Sequence, residues 1–320
     1  MKKPLVSVIV VNYNGKKLLK IILESLKKSA FKNYETIIVD NSSTDGSQEF
    51  IKKNYKKAAL VENKENLGYS GINSGLKYCR GKYILFLNND MEIDKDCISQ
   101  LVKTIESDKK IAMVAPKLVN YHNKALKSGG TWISRAFYSG HIPENKKNIV
   151  KEISYLGVGL VRKDFVDMFG YLFDPDYFIY AEDLDMGLRI RLSGKKIVFN
   201  PNAILYHMHA VTTQKTNGTF TTFLMERNSL ITYFKILSLK NIAFYFPYVL
   251  AIRFFAILRD LASFKFLNVY ARLRSLFWII FNLNVVIKKR KETQKFRKVN
   301  DEYITRIFSE KYLFKKPFII

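Results

Sequence analysis

From Val6 to Val119 short β-branched runs alternate with amphipathic or polar segments. "VSVIVVNYN" reads as a buried strand, after which Leu18, Leu19, Ile22, Leu23 and Leu26 fall on one face of a helix. "YETIIVD", "AALVENK", "YILFL" and "AMVAPKLV" read as further strands, with helices expected through Asn73 to Cys79 and around Ile98 to Ile105. Such alternation predicts an α/β fold with a mainly parallel sheet covered on both faces. Its chemistry belongs at the carboxyl ends of the strands. Asn12, Asp40, Asn66 and Asp90 lie at or just beyond such ends.

The middle third changes to an α+β pattern. "ISYLGVGLVRK" predicts one buried strand, and "EDLDMGLRIRLSG" a helix closed by Gly194. No Pro-, Gly- or Ser-rich linker separates this part from the first, so the two are expected to share a core. A second change begins at about Thr222. Between Lys235 and Lys291 eleven Lys or Arg accompany one acidic residue, Asp260, and are threaded through "IAFYFPYVLAI" and "SLFWIIFNLNVVI". Neither run supplies the roughly 18–20 uninterrupted apolar residues of a membrane-spanning helix. Helices lying in a membrane interface fit the pattern, and a helical subdomain packed on the core is the alternative. The expected division is residues 1–221 for the α/β domain and 222–320 for a basic, apolar helical region.

A net charge of +25 calls for an acidic partner. Because the C-terminal charges lie among long aliphatic and aromatic runs, an anionic membrane surface is expected and nucleic acid is not. Cys79 and Cys97 match no metal spacing or disulfide framework, and Met1–Pro4 leads into a strand without a secretory apolar region. A reducing location at the cytoplasmic face of the membrane is expected.

Several residues could carry chemistry. Asp40 ends a buried strand before "NSSTDGS", where a carboxylate can accept from a nucleobase or ribose, or organise a turn. The three glycines of "ENLGYSGINSGL" permit close approach to a ligand but lack the Walker or dinucleotide spacing. Glu182 and Asp183 would stand at the start of a helix, whose dipole favours ionised carboxylates, and such a group can act as a general base. Asp185 is spaced to pair with Arg189. His207 and His209 share a strand face and could bind a hard cation as neutral imidazoles, or be structural.

In order and spacing, "VSVIVVNYNG", "IIVDNSSTDGS", "NLGYSGINSGL", "YILFLNND", "GVGLVRKD", "FDPDYFIYAEDLDMGLRIRLSG", "PNAILYHMHAVTT" and "ERNSL" resemble the family 2 glycosyltransferases. These are inverting enzymes of the GT-A fold, and the resemblance leans to the rhamnosyltransferase-like branch that builds surface glycans. It covers roughly residues 5 to 230. The resemblance implies that Val11 and Tyr13 lie against the nucleobase and that Asp40 bonds its edge. Asn66 and Gly68 would shape the ribose and diphosphate end, and Asn89 would bond the ribose. Asp90 would take the family's DxD position and bind Mg2+ or Mn2+, with His207, or else His209, as second protein ligand. Asp183 would be the catalytic base, while no role attaches to Arg227 and Asn228. The implied donor is a nucleotide sugar such as dTDP-rhamnose or a UDP-hexose, and the acceptor a glycan carried on a polyprenyl diphosphate. A nucleotidyltransferase is the rival enzyme, although "NYNGKK" lacks its glycine-rich loop.

Overall fold

The computed structural model describes residues 3–128, 130–142, 149–208 and 218–313. β1 (Val6–Asn12) is buried along its whole length, as expected of a central strand covered on both faces. α1 (Lys16–Lys28) buries Leu19, Ile22, Leu23 and Leu26, and Leu18 of the anticipated stripe is half-buried. β2 (Tyr34–Asp40), α2 (Ser47–Asn54), β3 (Ala59–Glu62), β4 (Tyr83–Asn88), β5 (Met91–Ile93), α3 (Cys97–Glu106) and β6 (Ile111–Asn120) follow. Next come β7 (Leu126–Ser128), β8 (Thr131–Ile133), β9 (Ser139–His141), β10 (Lys151–Ile153), β11 (Gly159–Arg162), α4 (Lys163–Phe169), α5 (Glu182–Leu192) and β12 (Lys196–His207). Five helices close the chain: α6 (Gly218–Ile236), α7 (Leu239–Ala262), α8 (Phe266–Phe281), α9 (Leu283–Gln294) and α10 (Asp301–Thr305).

The main sheet runs β10-β12-β6-β11-β4-β1-β2-β3, with β5 paired to β12 and β7 to β6, and β8 and β9 form a separate hairpin. β4, β1, β2 and β3 are parallel, while β11 enters antiparallel between β4 and β6. The sheet is therefore mixed. Register sets Asn12 beside Asp40 and Val11 beside Asn88. The antiparallel β5–β12 pair sets His207 opposite Met91. One end of the sheet thus gathers the polar strand termini.

Two expected elements differ. The segment read as a helix through Asn73 to Cys79 forms 3-10 turns over Gly68–Tyr78, where three glycines weaken a regular helix. "ISYLGVGLVRK" is not one strand, because β10 pairs at the sheet edge with β12 while β11 lies between β4 and β6. The chain has to cross the sheet between them. In the C-terminal region α7 continues for 24 residues through Pro247 and Arg253 and is long and apolar enough to cross a membrane. Its breakers interrupt the apolar run without ending the helix.

The largest apolar cluster draws on β1, β4 and β6 and also on Leu230, Tyr233, Ile236, Val249, Ile279 and Ile304. The helical region and the sheet share that core. Lys235, fully buried on α6, pairs with Asp174 and with Asp185 on α5, each at 2.7 Å. Asp185 also makes the anticipated pair with Arg189, at 2.7 Å.

Candidate active site

Asp90 follows β4 in the turn to β5, and its Oδ2 lies 3.0 Å from His207 Nε2 at the end of β12. Main chain secures this meeting as well, since Met208 N–H donates to the Asp90 carbonyl at 2.9 Å. Both side chains keep limited solvent access, 13% for Asp90 and 18% for His207. Two adjacent ligands of an octahedral ion, each at 2.0–2.1 Å, lie about 3 Å apart. The separation and the donor types, one carboxylate oxygen and one imidazole nitrogen, therefore suit Mg2+ or Mn2+. Among the described residues no cluster of three or more His, Cys, Asp or Glu occurs. His209 lies outside the described residues.

Neighbouring amides are occupied. Asn89 Nδ2 donates to Asn12 Oδ1 at 2.7 Å, and Asn12 Nδ2 donates to Asp40 Oδ2 at 2.8 Å. Asp40 is fully buried and accepts also from Ser43 N–H, Ser43 Oγ and Gln48 Nε2. Four bonds fill the acceptor capacity of a carboxylate. Here Asp40 organises the turn after β2, and a base N–H reaches it only by displacing one of these donors. Likewise Asn89 is engaged by Asn12 rather than pointing unpaired toward a ribose. Val11 is buried, whereas Tyr13 is exposed beside it. Asn66 Oδ1 accepts from Gly68 N–H at 2.9 Å, a local turn. Gly68 has φ +63°, and a Cβ there would sit 2.3 Å from the Phe178 carbonyl oxygen, so the close approach that requires glycine is to protein main chain.

That carbonyl belongs to an unusual turn. Phe178, Tyr180 and Ala181 all have positive φ, at 62°, 70° and 59°, immediately before α5. Non-glycine residues rarely adopt this region, and three so close together need external support. Tyr69 and Ser70 N–H groups donate to the Phe178 carbonyl at 2.7 and 3.3 Å. From α6, Asn228 Nδ2 reaches the carbonyls of Tyr177, Ile179 and Tyr180, the last at 2.7 Å. Arg227 donates to the Asp176 carbonyl at 2.7 Å and to Asn228 Oδ1 at 2.9 Å. The Arg227–Asn228 pair therefore clamps the turn.

At the end of that turn Asp183 is partly open to solvent, and its Oδ1 accepts from Leu184 N–H at 2.8 Å. Surrounding protein raises its carboxyl to about 6 by desolvation. Glu182 is buried, and burial first, then the charge of Asp183, pushes its carboxyl well above the usual range. The two acids are thereby differentiated. Burial pushes Glu182 toward its neutral form, while Asp183 keeps partial access to solvent. Gly157 leaves room for Asp183, whose Oδ2 would be 3.1 Å from a Cβ there.

Tyr69 ties the two halves together. Its hydroxyl donates to the Gly157 carbonyl at 2.6 Å, and burial, then Glu182, Asp183 and Asp90, push the phenol well above its ordinary range. The Tyr69 phenol thus lies within electrostatic reach of both Asp183 and Asp90. Tyr69 and Asn228 carried no assigned role in the sequence. Their position inside "NLGYSGINSGL" and "ERNSL" was the available signal.

Residues 7–165 match the model of glycosyl transferase family 2. The chain belongs to glycosyl transferase family 2. Among family relatives, the Escherichia coli UDP-Glc:alpha-D-GlcNAc-diphosphoundecaprenol beta-1,3-glucosyltransferase WfaP is 36% identical over 108 residues, which are 33% of this chain and 43% of that protein. Two other curated relatives are spanned over only 31% and 61% of their length. The structure of GalNAc-T7 with UDP, GalNAc and Mn2+ has TM-score 0.62 and 17% identity, covering 75% of this chain and 49% of that one. Mannosyltransferase PcManGT from Pyrobaculum calidifontis, in complex with GDP-Man and Mn2+, has TM-score 0.52 and 16% identity, covering 99% and 89%. The likeness to both structures shows the GT-A fold.

Proposed function

We propose that this family 2 chain is an inverting, metal-dependent glycosyltransferase that moves a sugar from a nucleoside diphosphate to a glycan acceptor. The observation that carries the reading is the Asp90–His207 pair, spaced for a divalent cation, together with Asp183, a partly exposed acid whose carboxyl is raised to about 6. Asp183 accepts the proton of the acceptor hydroxyl as that oxygen bonds to the anomeric carbon, and the bond to the diphosphate oxygen breaks. Attack opposite the leaving group inverts the anomeric centre. A retaining route needs a second ionised carboxylate as nucleophile, whereas burial pushes Glu182 toward its neutral form. Asp90 and His207 would hold Mg2+ or Mn2+, which when bound stabilises negative charge on the departing diphosphate. With two protein ligands among the described residues, affinity for the free ion should be weak and rise with the nucleotide.

The donor is a nucleotide sugar of the dTDP-rhamnose or UDP-hexose type. A polyprenyl-diphosphate-linked acceptor draws support from the name of the WfaP relative and from the apolar, basic C-terminal helices. On this reading residues 1–221 perform transfer and residues 222–320 hold the enzyme at the cytoplasmic face of a membrane.

A panel of nucleotide sugars, each incubated with Mg2+ or Mn2+, tests the assignment through nucleoside diphosphate release and thermal stabilisation. Release from one donor supports it, whereas pyrophosphate release moves the chain to the nucleotidyltransferases. His207→Ala and Asp90→Ala should each weaken Mn2+ binding in the presence of nucleoside diphosphate. Tight Mn2+ binding by the free protein contradicts the two-ligand site.

A further inference from the structure

Helix α7 buries Val249, Ile252, Arg253, Ala256, Ile257 and Asp260. Spacings of three and four place these on one stripe against the protein. Its remaining surface exposes Leu250, Phe254, Phe255, Leu258 and Leu261. α8 repeats the arrangement, burying Arg272 and Ser275 beside Ala271 and Ile279 while exposing Leu273, Phe277, Ile280 and Phe281. The turn between the helices presents Phe264, 80% exposed, and leads into Phe266 and Leu267, 60% and 67% exposed. Arg253, Asp260 and Arg272 lie inside while these aliphatic and aromatic side chains face outward, the reverse of a helix facing water.

The buried charges are paired. Arg253 donates to the Ala136 carbonyl at 3.0 Å and lies 3.4 Å from Glu226 on α6. Asp260 accepts from Arg272 Nε at 2.8 Å, and Arg272 also meets Glu226. At 24 residues α7 is long enough to cross a bilayer. Crossing would carry Arg253 and Asp260 away from these partners into hydrocarbon, where ionised groups are costly. Lying flat, the helix keeps every pair and immerses only its apolar edge.

We propose that α7, α8 and their connecting turn lie in the plane of an anionic bilayer surface, and that α7 does not span it. The inference rests on the membrane location proposed above and assigns its geometry. Charge selects the bilayer over a second copy of the chain. Lys265, Arg274, Lys288 and Lys291 are exposed around the apolar edge, and the one acid between Leu239 and Lys291, Asp260, is buried. These cations attract anionic headgroups, whereas two such faces would repel each other.

The test uses the full chain and extruded vesicles of phosphatidylcholine, alone or mixed with phosphatidylglycerol. Sedimentation should show binding to the mixed vesicles that salt weakens, and F266E/L267E should weaken it by at least about tenfold. Both positions are exposed, so the melting temperature and donor-induced stabilisation should remain as in the unaltered chain. Bimane placed at L250C, L258C and L261C should be quenched by lipids brominated near the headgroup in preference to those brominated near the chain end. Absence of vesicle binding overturns the proposal, as does quenching depth that steps along α7 with the helical rise. A dimer dissolved by F266E/L267E, without vesicle binding, gives the face to a second copy and also overturns it. Donor-induced stabilisation, measured without vesicles, reports separately on the glycosyltransferase reading.

Discussion

At the scale of single residues, Asp183 makes the sharpest claim. Burial raises its carboxyl to about 6, and a base works only when ionised, so the ionised fraction falls about tenfold for each pH unit below that value. kcat/KM should therefore climb with pH through about 6 and then level, provided the metal and donor remain bound. A flat profile across that range removes Asp183 as the base. Asp183→Asn should abolish transfer while thermal stabilisation by the donor persists. Glu182→Gln replaces an acid that burial pushes toward its neutral form, so turnover should survive with the limb near the same pH. The acidic pair was legible in the sequence because adjacent carboxylates follow an aromatic run at a helix start. Asp183 as the base came from the family resemblance, because burial, which sets the two carboxyls apart, is not readable from two adjacent letters. Asp40 shows the converse. Its strand-end place was readable, but the four donors that fill its oxygens come from Asn12, Ser43 and Gln48 in separate segments.

At the scale of elements, the turn before α5 decides where Asp183 stands. Three non-glycine residues at positive φ store strain of about 1–3 kcal/mol each, held by hydrogen bonds from the 3-10 segment and from α6. Asn228→Ala removes the donor that spans three of the turn's carbonyls. Turnover should fall by up to about 10²-fold, because displacing a reacting group by about 1 Å is that costly. Donor KM should change little, since Asn228 contacts the turn and not the Asp90–His207 pair. A purely structural residue would instead lower stability and leave the turnover of the remaining folded protein intact. Equal effects on kcat and donor KM would count against a positioning role. Periodicity located most strands and helices here, because alternation and amphipathic spacing are local. It misread Asn73–Cys79 and the 153–163 segment, where glycine content and strand order across the sheet prevailed over local pattern.

For the whole molecule, the question is whether the helical region is an appendage or part of the fold. Lys235 from α6 is buried against Asp174 and Asp185, and Lys289 from α9 adds a second cation 2.6 Å from Asp174. Burial alone would raise the Asp174 carboxyl, but Lys235 and Lys289 hold it well below the carboxylate range. The folded value being depressed, this contribution to stability is complete above the unfolded carboxylate pKa of about 3.9 and is lost as pH falls through the folded value. Lys235→Met leaves two buried carboxylates short of a partner and should cost about 3–5 kcal/mol in urea unfolding at neutral pH. The loss should shrink toward acid, as Asp174 protonates. Because the core is shared, unfolding should also be one transition, with far-UV circular dichroism coinciding with fluorescence from Trp132 on β8 and Trp278 on α8. A separate early transition at Trp278, or a Lys235→Met cost well under 1 kcal/mol, would show the helices to be a detachable anchor. On the shared-core account, truncation near Phe234 removes Lys235 and Lys289 together and unfolds the catalytic domain. Membrane release is then measurable only with surface substitutions that leave those pairs intact.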